Sequence, residues 1–168
     1  MVDHFDTIIR ALDKKPVIIG HSFGGLLAQI LAGRGLASAT VAIDPAPFRG
    51  VLPLPFSALK SAWPVLGNPA NRNRAVPLTY DQFCFANAVS EDEAKALHAR
   101  FAVPASGAPL FQAATANFNP WTEAAVDTGN PSRGPLLIVS GEKSSTLRAT
   151  IAAKAMTARI ALPATARR

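Results

Sequence analysis

IIGHSFGGLLAQ, residues 18–29, places Ser22 two residues after Gly20 and two before Gly24, directly behind a short aliphatic run. PVIIG at 16–20 reads as a buried strand, and Leu26, Leu27, Ile30 and Leu31 recur at helical spacing up to Gly33 and Gly35. A GxSxG turn between strand and helix holds its serine in a strained backbone conformation that side chains on the neighbouring residues would obstruct, so Gly20 and Gly24 read as steric necessities. The hydroxyl is then raised clear of the sheet edge. The amide of the next residue, Phe23, points to where an acyl carbonyl oxygen would become negative, and the start of the helix adds partial positive charge there. The plainer alternative is a glycine-rich turn that binds a phosphate or packs closely; neither GxGxxG nor GxxxxGK[ST] is present to support a nucleotide reading.

Two further runs have strand character: ATVAID at 39–44 and PLLIVSG at 135–141. All three are mainly aliphatic without polar alternation, the pattern of parallel strands covered on both faces. Strand, helix and strand within about 30 residues make a βαβ unit, so the body is α/β. The stretch from Pro45 to Pro135 differs, holding twelve of the fourteen prolines, Trp63, Trp121 and most of the phenylalanines. TYDQFCFANAV at 79–89 and SEDEAKALHARF at 90–101 read as helices, the second opened by a capping-box pattern of Ser90 and Glu93. Three segments follow: a core of 1–44 and 135–143, a mostly helical insertion at 45–134, and a basic tail at 144–168. The insertion is expected to be a cap over a site; the alternative is a peripheral packing subdomain.

The 168 residues, 49% hydrophobic and 17% charged, suit one globular domain. No run reaches the roughly 18 apolar residues of a membrane helix, and MVDHFDTIIR lacks the pattern of a secretory signal, so a cytoplasmic protein is expected. Cys84, the single cysteine, has no internal disulfide partner and reads as a small packed residue. The net charge of +6 is concentrated in the tail: residues 144–168 carry five Lys and Arg and no acid, whereas 1–143 carry twelve against eleven. The body is therefore nearly neutral, which argues against a nucleic-acid binder.

IIGHSFGG, AIDPAP at 42–47 and LLIVSGEK at 136–143 together resemble the α/β-hydrolase fold family, in its small esterase and haloperoxidase-like serine hydrolases, over roughly residues 1–143. The resemblance implies a partial α/β-hydrolase fold, Ser22 as nucleophile, Phe23 as donor of one oxyanion-hole amide, and hydrolysis of an ester or related acyl bond without metal or organic cofactor. It also implies a histidine base oriented by a carboxylate, because a serine hydroxyl at its ordinary pKa is a poor nucleophile.

The sequence departs from that pattern at both ends. The family places its acid just beyond the strand resembling PLLIVSG and its histidine some tens of residues later; SGEK is followed by neither. Glu142 precedes the usual acid position. Asp44, at the end of the second strand, is a candidate acid or simply a turn cap ahead of Pro45. His98, in the 90–101 helix, is the candidate base able to overhang a pocket; His21 projects from a neighbouring turn position, and His4 lies on a helix ahead of the first strand. The strands that the family carries before the elbow are not found ahead of PVIIG, so an open sheet edge and self-association through it are expected. The tail, with eight alanines between 144 and 168, is expected to be an out-of-frame reading of a GC-rich gene, the alternative being a basic amphipathic helix. A serine hydrolase of weak or no activity, acting on a small ester-like molecule, is the first expectation, and a non-catalytic binding module that keeps the elbow as a structural turn is the second.

Overall fold

Helix α2 (Phe23–Gly33) is buried along almost its whole length, with eight of its eleven residues inaccessible. Its sequence is apolar on every side, and such a helix has no solvent face to offer, so the rest of the chain packs around it. The computed structural model describes residues 1–51, 56–86 and 90–139. Ahead of α2 lie α1 (Val2–Arg10) and β1 (Val17–His21), and after it comes β2 (Ala39–Ile43). Then follow α3 (Phe56–Leu66), a 3-10 turn at Pro69–Asn73, β3 (Ala75–Val76), α4 (Tyr80–Ala86), α5 (Glu91–Phe101), β4 (Ala105–Ser106), α6 (Ala108–Thr115) and β5 (Leu136–Val139).

β1, β2 and β5 form a parallel sheet in that order, with Ile19 beside Val41 and Val41 beside Leu137. Thr40 and Ala42 of the central strand are buried, and Ile18 packs against the cluster that includes Leu26, Ile30 and Leu31 of α2. The opposite face is open: Val17 and Ile19 are 60% and 67% exposed, Leu137 53% and Val139 43%. The strand runs, expected to be covered on both sides, are thus covered on one among the described residues. β1 is an edge strand of this sheet.

Helix α1 docks on α2 through Val2 and Ile9. Arg34, which caps the carboxyl end of α2, donates to Asp3 at 2.9 Å and Asp6 at 3.0 Å, and Arg10 pairs with Asp6 within α1. The two arginines hold the Asp6 carboxyl below its ordinary range, the Arg10 hydrogen bond acting most strongly and Arg34 next. Such solvent-screened surface pairs contribute little. Burial of Leu26, Ile30 and Leu31, at roughly 1.5–3 kcal/mol per side chain, outweighs them and sets the position of α2.

Between β2 and β5 the described residues hold four α-helices and a two-residue antiparallel ladder, β3 with β4, that the sequence pattern does not announce. Ser90 caps α5, its hydroxyl accepting from the Glu93 amide at 3.4 Å. The segment after α6 returns to the core: Asn130 donates from Nδ2 to the Gly33 carbonyl at 2.7 Å, closing the end of α2. Gly33 permits this approach, since a Cβ there would lie 2.8 Å from the Asp127 carbonyl oxygen. Among the described residues no helix is long and apolar enough to cross a membrane. The Cys84 side chain, residues 140–141 of the third strand run, Glu142 and the whole tail lie outside what is described.

Candidate functional site

Ser22 stands alone between the last residue of β1 and the first of α2, with φ 54° and ψ −117°. A non-glycine residue at positive φ is uncommon, and this ψ is far from the left-handed helical well, so the position is strained by about 1–3 kcal/mol. Three backbone hydrogen bonds hold it. The Ser22 amide donates to the Ile43 carbonyl at 3.0 Å, and the Ser22 carbonyl accepts from Leu26 at 3.1 Å and Ala46 at 2.9 Å. The first two extend the sheet and begin the helix; the third straps on the chain leaving β2.

The glycines divide the steric work unequally. A Cβ on Gly20 would sit 2.0 Å from the Gly24 carbonyl oxygen and 2.8 Å from the Gly25 nitrogen, distances that no real side chain adopts. Gly20 is therefore required. A Cβ on Gly24 would meet nothing within 4 Å, so its side chain is not excluded, contrary to the expectation from the motif. The second tight position is Gly25, whose Cβ would lie 3.0 Å from both Cα and Cβ of Pro45. GxSxG does not point to Gly25; the signal was Pro45, which the turn after β2 brings against the helix start.

Ser22 Oγ has no hydrogen-bond partner among the described residues and caps no amide. Phe23, Gly24 and Gly25 occupy the first turn of α2, where backbone amides lack intrahelical acceptors. Asp44 follows β2 as Ser22 follows β1, and because His21 pairs with Ile43 the two residues leave the sheet side by side. They are also the two non-glycine residues at positive φ among the described residues, Asp44 at 39°. The Asp44 amide continues the ladder to the Val139 carbonyl at 2.8 Å. Ser22 and Asp44 both lie at the carboxyl ends of adjacent parallel strands, the edge where open α/β sheets bind ligands.

Two of the three histidines make contacts elsewhere. His98 sits on α5, with Nε2 3.2 Å from the Leu78 carbonyl and its ring edge-on to Tyr80 and Phe83. A carbonyl only accepts, so Nε2 carries the hydrogen in that bond. His21 is exposed at the end of β1, on the strand face that carries Val17 and Ile19, and His4 meets Phe5 on α1. All three histidines of the chain lie within the described residues, and none is bonded to Ser22.

Phe23 and Gly24 also line a cavity of about 670 Å³, which runs between α1, the start of α2, α6 and residues 119–124. Ser22 is not among its lining residues. Its walls are mostly apolar, and no pattern in the sequence brings Phe5, Leu110 and Trp121 together. A family model described as the alpha/beta hydrolase family matches residues 1–166. The chain belongs to the alpha/beta hydrolase family. The match passes Lys143, where the motif resemblance ended, and continues into the tail. As an α/β hydrolase, the chain carries the parallel sheet and the strand–turn–helix unit around Ser22 on three strands among the described residues. No curated protein matches the chain.

Proposed function

We propose that this α/β hydrolase is a serine hydrolase of ester or related acyl bonds, with Ser22 as nucleophile and the Phe23 amide as one oxyanion donor. The observation that carries the reading is the strained Ser22 backbone between β1 and α2, with Gly20 pressed against Gly24. In the reaction Ser22 Oγ attacks the acyl carbon, the alcohol leaves, and water hydrolyses the acyl-enzyme. The developing oxyanion is met by the Phe23 amide and by the positive end of α2. Residues 45–134 form a cap over this edge, and Asp44 is the acid closest in sequence register to the nucleophile. Turnover is slow, because none of the three histidines is bonded to Ser22, and loss of a triad base costs several orders of magnitude in rate.

The absence of a histidine contact also favours a second reading, a non-catalytic module that keeps the elbow as a structural turn. A fluorophosphonate probe separates the two. Covalent labelling of the wild type at Ser22, seen by mass spectrometry and abolished in Ser22→Ala with the fold intact by circular dichroism, supports the hydrolase. A folded wild type that stays unlabelled at millimolar probe overturns it and leaves the binding module.

A further inference from the structure

The cavity beside the elbow combines two features that the hydrolase reading does not use. Its apolar wall includes Phe5, Phe23, Leu27, Leu110 and Trp121, and Trp121 is 88% exposed. An indole that open to water on the rim of an apolar cavity gains burial when a ligand fills the space below it. The second feature is charge. Arg72 is the one basic side chain lining the cavity, it is exposed, and it has no hydrogen-bond or ion-pair partner among the described residues. The one acid in the lining, Glu123, faces the Met1 ammonium at 3.6 Å. The unbalanced charge of the cavity is thus the Arg72 guanidinium.

We propose that this cavity binds an amphipathic carboxylate, a single apolar chain lying against Phe5, Leu27, Leu110 and Trp121 with its anionic head on Arg72. A volume of about 670 Å³ falls within the 300–1,000 Å³ of small-molecule sites. The guanidinium fork matches a carboxylate in geometry and sign. Arg72 is held for the task by the turn it occupies: the Asn68 side chain caps the start of that turn through the Ala70 amide, and Asn71 Nδ2 donates to the Val65 carbonyl at 3.0 Å. Ser22 does not line the cavity, although its neighbours Phe23 and Gly24 do, and binding there requires no bond to be cleaved.

The test is titration calorimetry of the full chain with decanoate and with decanol. Decanoate has no scissile bond, so its binding is independent of whether Ser22 is a nucleophile, and Ser22→Ala should bind it as the wild type does. The expected result is saturable binding of one decanoate per chain, at least about tenfold tighter than decanol. Arg72→Gln should remove most of that preference while leaving decanol unchanged, as expected for a lost charge-assisted hydrogen bond. Ala113→Trp, which fills the cavity from α6, should abolish binding of both; because Arg72 is exposed, Arg72→Gln gives a folded protein even if Ala113→Trp does not. Absence of saturable decanoate binding, equal affinity for acid and alcohol, or an unchanged decanoate affinity in Arg72→Gln each overturns the proposal.

Discussion

Replacing Gly20 by alanine should unfold the elbow from inside, whereas the same change at Gly24 should be harmless. The new Cβ at residue 20 would lie 2.0 Å from the Gly24 carbonyl oxygen and 2.3 Å from its carbon, about 1.4 Å short of ordinary van der Waals contact at 3.4 Å. The obstruction is backbone in the first turn of α2, so no side chain can rotate away, and the buried helix behind it cannot withdraw without opening the core. Overpacking costs about 1–3 kcal/mol where neighbours yield, and here the upper end applies. At roughly 2–4 °C per kcal/mol for a chain of this size, Gly20→Ala should lower Tm by about 6–12 °C. Gly24→Ala places its methyl in open space within a helix, where alanine is favoured over glycine by up to about 1 kcal/mol, so Tm should hold or rise slightly. Thermal unfolding followed by circular dichroism, with urea denaturation as a second measure, distinguishes the pair. A Gly20→Ala protein within about 2 °C of wild type, or a Gly24→Ala protein as damaged as Gly20→Ala, refutes the steric reasoning.

Ser22→Gly should abolish fluorophosphonate labelling yet raise Tm by about 2–4 °C, because relief of about 1–3 kcal/mol of backbone strain exceeds the added freedom of the unfolded glycine by about 1 kcal/mol. A lower Tm would show that the turn is not strained at this residue. Asp6 supplies a pH dependence: its carboxyl is held below the ordinary value by Arg10 and Arg34, so its contribution is complete above about pH 4 and is lost as pH falls through the lower, folded value. The Tm difference between wild type and Asp6→Asn should therefore be constant from about pH 5 to 7 and shrink below about pH 4. A difference that grows on acidification contradicts the assignment.

The parts of this molecule legible in its sequence are those set by local periodicity and by one tight turn. β1, α2 and β2 begin and end within a residue of the runs that announce them, since aliphatic strands and an apolar helix leave few alternative registers. Ser90 with Glu93 likewise marks the start of α5. What the sequence hides is assembled across distance. Gly25 is constrained by Pro45, and Gly33 by Asp127, through contacts that no local pattern reveals. Asp44 could be named as a candidate from its place after a strand, yet its positive φ and its amide's bond to Val139 beyond the insertion appear only in the folded chain. His98 was a reasonable base by type and helix position, but its ring is held by Leu78, Tyr80 and Phe83, a cluster that the fold of α4 on α5 creates. The ladder of β3 with β4 is too short to impose a period of two, and so carries no signal.

The burial of α2 on nearly every side ties the turn at Ser22 to the stability of the fold. The turn at Ser22 is the leading end of the element around which the core packs, so the hydrogen-bonded amides of α2 beyond its first turn should be among the last to exchange with deuterated solvent. Variation that crowds Gly20 at this turn therefore jeopardises the helix at the centre of the core. New specificities in a protein built this way must come through the peripheral walls, where Trp121 and Arg72 face water and can be replaced without disturbing the keel.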